Sequence, residues 1–161
     1  MLFNSLEFAV FLPIVVAMYF LVAPSWRIRV LLVASCIFYM AFIPEYIAIL
    51  FVTIIIDYVA GIYLEKTEGP KRKSILLVSI VSTCSVLVVF KYFNFFSESI
   101  AAALTFLGVP ASPLVAKIIL PIGLSFHTFQ SLSYVIEVYR GHQNAIHSFE
   151  HYATYVMFFP Q

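Results

Sequence analysis

Apolar residues run through this chain in long blocks, separated by short polar or proline-containing punctuation. The first block extends from about Leu6 to Val22 and stops at Ala23-Pro24-Ser25, where the proline ring blocks continuation and Trp26 suits an interfacial anchor. The second runs from about Ile28 to Phe42 and stops at Ile43-Pro44. The third, from about Tyr46 to Leu64, gives way to the polar stretch EKTEGPKRKS, whose Gly69-Pro70 signals a turn. The fourth covers about Ile75 to Phe90. Between Phe95 and Val109 the pattern weakens, with Ser97, Glu98 and Ser99 ahead of AAALTFLGV, and a short surface or re-entrant helix is predicted there. A fifth block, from about Leu114 to Val138, contains Pro121 and Gly123, which predict a kinked or broken helix.

A helix needs about 20 mostly apolar residues to cross the hydrocarbon core, and in lipid every backbone polar group must be satisfied within the protein. The blocks lack the two-residue alternation of barrel strands. The predicted fold is therefore all-α: a polytopic transmembrane helical bundle of about five spans, with short interfacial or re-entrant helices, forming a single transmembrane region over residues 1–161.

Composition agrees. Hydrophobic residues make up 63% of the chain and charged residues 11%, with a mean hydropathy of +1.01, against roughly 45–50% apolar and about 25% charged for ordinary soluble domains. Nine Lys and Arg against eight Asp and Glu leave no basic field for nucleic acid. Cys36 and Cys84 both fall inside apolar blocks, where a thiol behaves as a small hydrophobe, so they make neither a disulfide framework nor a metal site. The N-terminus has no basic start or small-residue cleavage site and carries Glu7, so the first block is expected to remain as a span.

Cytoplasmic loops are enriched in Lys and Arg. Arg27 and Arg29 follow the first span, and Lys66, Lys71, Arg72 and Lys73 follow the third. Two crossings separate these clusters, which puts both on one side, while the turn after the second span carries only Glu45. The N-terminus is thus expected outside the cytoplasm, and Arg140 returns to the cytoplasmic side if residues 97–112 do not cross.

Two places hold polar groups that lipid cannot satisfy. Asp57 lies inside the third block, where a carboxylate costs about 2.5–3.5 kcal/mol near a helix centre. With Tyr58 beside it and Gly61 one turn on, it reads as a satisfied acid at a close helix contact, with a direct functional role as the alternative. In the fifth block, LPIGLSFHTFQSLSYVIEVYRG, positions 123, 127, 130, 134, 137 and 141 recur at helical spacing. That stripe is Gly123, His127, Gln130, Tyr134, Glu137 and Gly141, widened by Ser125, Thr128, Ser131 and Ser133, with Leu124, Phe126, Phe129, Leu132, Val135 and Ile136 as the apolar remainder. Such a face implies a cavity, a helix interface or a tunnel. His127 is read as tunnel lining or a packing hydrogen bond rather than as a catalyst, because no titratable neighbour lies within one turn to orient it. His147 and His151 share the spacing of two metal ligands, but Glu150 stands directly before the second histidine, HExxH is absent, and no metal site is expected. The closing segment is predicted as an amphipathic helix at the cytoplasmic interface, with Tyr152, Tyr155, Val156 and Phe159 facing the lipid or the bundle.

Four stretches carry a family resemblance: MLFNSLEF at the start, FKYFNFF after the fourth block, LPIGLSFHTFQSLSYVIEVYRG, and YVMFFPQ at the end. In order and spacing, from Met1 to Gln161, they resemble the membrane-bound O-acyltransferase family and its bacterial alginate O-acetyltransferase branch. One departure is His127, at a position where the resemblance implies an aromatic such as Tyr or Phe in many relatives. The resemblance implies an N-terminal fragment of a longer, multi-pass inner-membrane enzyme with a periplasmic N-terminus. It implies transfer of an acetyl or acyl group through a tunnel to hydroxyls of an extracytoplasmic polysaccharide such as alginate. The family's catalytic histidine is then expected beyond residue 161, so no catalytic residue is assigned to this chain, and Asp57, His127, Gln130, Tyr134 and Glu137 are expected to line the tunnel or support it. No bound cofactor is expected; the acyl donor, acetyl-CoA or an acyl carrier, is a substrate. Expected partners are membrane lipid, the polysaccharide acceptor and proteins of a polysaccharide-acetylation system. The competing reading is a small polytopic transporter or channel subunit with Asp57 and His127 on a polar path, although no internal repeat supports it.

Overall fold

The computed structural model describes residues 5–41, 44, 46–108, 112 and 123–160. Its α-helices are α1 (Leu6–Leu21), α2 (Arg27–Met40), α3 (Tyr46–Lys66), α4 (Pro70–Phe106), α5 (Leu124–Arg140) and α6 (Phe149–Met157), with one 3₁₀ turn at Pro24–Trp26 and no strand among the described residues.

The helix ends follow local chemistry. Ser5 caps α1 by accepting the Phe8 amide at 3.2 Å. Between α3 and α4 the chain reverses at Gly69, whose φ of +75° is open to glycine at little cost, and Pro70 then begins α4 with its ring already set for the helix. At the end of α5, Gly141 adopts φ +76° while the His142 amide donates to the Glu137 carbonyl at 3.1 Å, a Schellman closure that satisfies carbonyls the helix would otherwise leave open.

The predicted separate helix after Phe95 does not form. α4 continues without a break through Ser97, Glu98 and Ser99 to Phe106, giving 37 residues and a length of about 55 Å at 1.5 Å per residue. Low hydropathy reports a change of surroundings, whereas a helix is stopped by glycine or proline. None occurs between Pro70 and Gly108, and α4 ends where Gly108 takes up φ +82°. Of the predicted fifth span, residues 114–122 lie outside the described residues. α5 begins directly after Gly123, which sits at φ +85°.

α3, α4 and α5 pack on one another, α6 inserts against α2, α3 and α5, and α1 lies against α2. The main core gathers Ile54, Leu64, Tyr134, Val135, Val138, Tyr152 and Val156. A second cluster forms around Phe159, whose ring centroid lies 5.3 Å from that of Phe11 and 5.7 Å from that of Phe38. Of the two surroundings expected for the apolar side of α6, the bundle is the one found: Tyr152, Val156 and the following Phe159 are buried in it, and Tyr155 is the half-exposed member. The outer faces are apolar, with Leu6 and Phe20 on α1 and Leu77, Val78 and Val81 on α4 all exposed. α3 from Ile47 and the whole of α4 are long and apolar enough to cross a membrane, and α1 is a shorter apolar helix. With its apolar outer faces, this is the architecture of a membrane helical protein.

At Gly61, α3 has no room for a side chain against α5. A Cβ there would sit 2.7 Å from Oη and 2.8 Å from Cε1 of Tyr134, so the ring lies over the bare Cα. Gly61→Ala is expected to push the helices apart at a cost of about 1–3 kcal/mol. Thermal unfolding in detergent should register the loss, and Tyr134→Leu in the same chain should restore part of it.

Candidate functional site

Asp57 is fully buried and joins four helices. Its Oδ1 accepts from Ser79 Oγ at 2.5 Å and Thr83 Oγ1 at 2.9 Å, both on α4, and its Oδ2 accepts from Ser131 Oγ on α5 at 2.5 Å. Ser131 Oγ also lies 2.7 Å from Tyr152 Oη on α6. Since a serine hydroxyl has one proton and Ser131 gives it to the carboxylate, Tyr152 is the donor in this second bond. Among the described residues, every hydrogen bond to the carboxylate therefore comes from a hydroxyl. The partners Ser79 and Thr83 were not singled out from the sequence, although their four-residue spacing in an otherwise apolar block is the signal that would have found them.

α5 turns its residues inward differently from the predicted division into polar and apolar faces. The buried set is Leu124, His127, Thr128, Ser131, Leu132, Tyr134, Val135 and Val138. Leu132 and Val135, predicted on the opposite face, therefore point into the bundle, while Ser133 is exposed and Glu137 half-exposed. The reason is that a helix buried on several sides has an inward arc wider than one stripe.

His127 and Gln130 both serve the C-terminal end of α6. His127 Nδ1 donates to the Val156 carbonyl at 2.5 Å, and Gln130 Nε2 donates to the Tyr155 carbonyl at 2.7 Å. These carbonyls belong to the last turn of a helix ending at Met157, where no further amide follows in register to receive them. Nδ1 must therefore carry a proton, and the backbone carbonyl supplies the orienting partner that sequence neighbours lacked. His127 Nε2 and Gln130 Oε1 are left as buried acceptors without a donor among the described residues. Nε2 faces the bare Cα of Gly123, where a Cβ would be 3.3 Å away. The Tyr39 ring closes one side of the imidazole, edge-on at 5.1 Å between centroids.

The remaining stripe residues have local tasks. Tyr134 Oη accepts the Ile146 amide at 2.9 Å, and Glu137 takes His142 Nδ1 at 2.8 Å and Arg140 at 3.8 Å. His147 bonds Glu65 at 3.0 Å and His151 bonds Ser148 at 2.8 Å, so the two do not converge, and no group of metal-ligating side chains is found among the described residues. Arg29 holds Glu150 through two contacts of 3.0 and 3.1 Å, and Arg72 donates to the Val138 carbonyl at 2.9 Å. Arg29, Arg72 and Arg140 thus gather at one end of the bundle.

No family model matches the chain, and no solved structure matches it. Curated sequences do. Over 99% of its length the chain is 36% identical to the "Probable alginate O-acetylase AlgI" of Pseudomonas syringae pv. tomato, covering 31% of that protein. The protein of the same name from Pseudomonas aeruginosa is 36% identical over 99% of this chain and 31% of its own length. Along nearly its whole length the chain is similar to alginate O-acetylases. A "Peptidoglycan O-acetyltransferase" of Helicobacter pylori is also similar, 27% identical over 89% of this chain and 28% of its own length. The expected resemblance to membrane O-acyltransferases is borne out, and the chain spans about a third of the length of the curated alginate O-acetylases it matches.

Among these O-acetyltransferase relatives, the chemistry visible in this chain is one of support: a carboxylate bound by hydroxyls, and two side chains that close a helix end. Asp57→Ala would strand the Ser79, Thr83 and Ser131 hydroxyls in the core and is expected to destabilise by about 2–4 kcal/mol, measured as a lower unfolding midpoint and reduced accumulation in membranes. Asp57→Leu combined with Ser79→Ala, Thr83→Val and Ser131→Ala should recover much of the loss, because an apolar set leaves nothing unpaired.

Proposed function

We propose that this chain forms part of a membrane-bound O-acyltransferase that transfers acetyl groups across the bilayer onto hydroxyls of an extracytoplasmic polysaccharide of the alginate type. The observation that carries the reading is similarity to alginate O-acetylases along nearly the whole chain. In this reading α3 to α6 form a rigid support beside the acyl-transfer tunnel. The two open acceptors, His127 Nε2 and Gln130 Oε1, border that tunnel, where a hydroxyl or water supplies the missing donors. The base that deprotonates the acceptor hydroxyl lies in another part of the enzyme, and acetyl-CoA or an acyl carrier delivers the acyl group from the cytoplasm. Proteins of a polysaccharide-acetylation system are the corresponding partners. Asp57 is committed to four helices, which favours an anchoring role over an ion path.

About five spans in the inner membrane, with a periplasmic N-terminus, complete the proposal. It is supported by the gathering of Arg29, Arg72 and Arg140 at one end, since the end rich in basic residues faces the cytoplasm. A cysteine placed at Thr67 should react with a membrane-impermeant maleimide only after the cells are opened. Labelling in intact cells would reverse the topology.

Acetyl ester content of the secreted polymer, normalised to the amount of protein in the membrane, tests the function. A host deleted for its own O-acetylase and given the whole gene should regain acetylation, and its absence with the protein present would remove the proposal. Among variants, His127→Gln keeps a donor for Val156, His127→Phe keeps volume, and His127→Ala loses both at a cost of roughly 3 kcal/mol. Activity is expected to fall in that order, together with protein level. If both Gln and Phe abolished acetylation with protein level unchanged, the imidazole itself would take part in the chemistry.

A further inference from the structure

On the outer face of the bundle, α3 and α4 enclose a groove of about 540 Å³. Its floor is made by two small buried residues, Ala60 and Ser79, and its walls by the exposed side chains of Val59, Tyr63 and Val78. Ser79 turns its hydroxyl to Asp57, so the floor offers no free polar group. Helix spacing determines what stands at the mouth. Lys66 lies three residues beyond Tyr63, and Lys71 lies three before Ser74 and four before Ile75, both of which line the groove. One lysine from each helix therefore continues a groove wall toward the polar loop.

Both lysines are exposed, and neither has a carboxylate partner among the described residues. The nearby acids are committed elsewhere: Glu65 holds His147 and the Ala145 amide, Glu137 holds His142 and Arg140, and Glu150 holds Arg29. Glu68 is the only acid in the loop that joins the helices, which otherwise carries Lys66, Lys71, Arg72 and Lys73 at its ends.

An apolar slot with two unpaired cations at its rim, at the membrane surface, complements an amphiphile with an acyl tail and a negative head. We propose that the α3–α4 groove binds an anionic phospholipid, with one acyl chain lying over Ala60 and Ser79 and the phosphate held between Lys66 and Lys71. Tyr63 stands one turn below the lysines and can donate its hydroxyl to the glycerol ester region. The site rests on the basic end lying at a membrane surface, and is independent of acetyl transfer. A zwitterionic lipid would fill the same slot but gain no net charge term, so the lysines set headgroup preference.

The test uses the full chain in nanodiscs of phosphatidylcholine doped with phospholipids whose acyl tails carry a photoreactive diazirine. Phosphatidylglycerol carrying the probe should label the α3 and α4 peptides around Val59 and Val78 well above phosphatidylcholine carrying the same probe, by about fivefold per lysine. Lys66→Gln with Lys71→Gln should bring the phosphatidylglycerol signal down to that of phosphatidylcholine, and Val78→Trp should lower both by filling the slot. Equal labelling by the two lipids in the unchanged protein would mean that the groove takes bulk lipid, and would overturn the proposal. So would an absence of label together with an oxidative cross-link from Val78→Cys to another helix or a second copy, since protein would then occupy the groove.

Discussion

A carboxylate in the middle of a membrane helix must find its partners inside the protein, and Asp57 finds them on two other helices and, through Ser131, reaches a third. In water an aspartate needs no particular neighbour. In hydrocarbon an unpaired one is expensive, so the sequence of α3 places a demand on α4, α5 and α6 that only one relative arrangement meets. Ser79 and Thr83 present two hydroxyls from one face of α4, Ser131 brings α5 to the second oxygen, and Tyr152 completes the chain of donors from α6. Moving any of these helices along its axis by a residue would break several bonds at once. The cluster therefore sets register as well as contributing stability, the best-attested use of buried polar groups.

The same constraint explains the fate of α6. A nine-residue helix packed in a bundle exposes its last carbonyls to apolar surroundings unless a neighbour supplies donors. His127 and Gln130, one turn apart on the antiparallel α5, supply two of them. The aromatic nest of Phe11, Phe38 and Phe159 then takes over where the hydrogen bonds end, seating the chain beyond α6 against α1 and α2. Polar groups fix direction here and aromatic packing fixes distance, a division suited to a medium in which burial of apolar surface alone gives helices little reason to associate.

Charge is handled apart from this interior. Basic side chains gather at one end, where Arg29 clasps Glu150 and Arg72 covers the end of α5 with its guanidinium over the Tyr139 ring at 5.5 Å. These contacts are more exposed and individually weaker than those at Asp57. They tie together the ends of α2, α4, α5 and α6. The result is a bundle with a fixed core, a charged end and an apolar belt.

The sequence by itself determined the solvent, the helical class and most of the helix ends. Hydropathy reports the first, and glycine and proline write the others locally, as at Gly69-Pro70 and Gly141. The same logic, applied more strictly, would have kept α4 whole, because three polar residues without a breaker change a helix's environment and not its backbone. The close contact at Gly61 was legible too, since a small residue one turn from a buried acid has few other uses, though that its partner is Tyr134 was not. Tertiary structure alone decided which hydroxyls Asp57 takes, that Leu132 and Val135 turn inward, and that His127 and Gln130 close α6. Each of these depends on elements between 22 and 74 residues apart coming together, and periodicity describes one helix at a time, giving the face it turns without saying what will stand opposite.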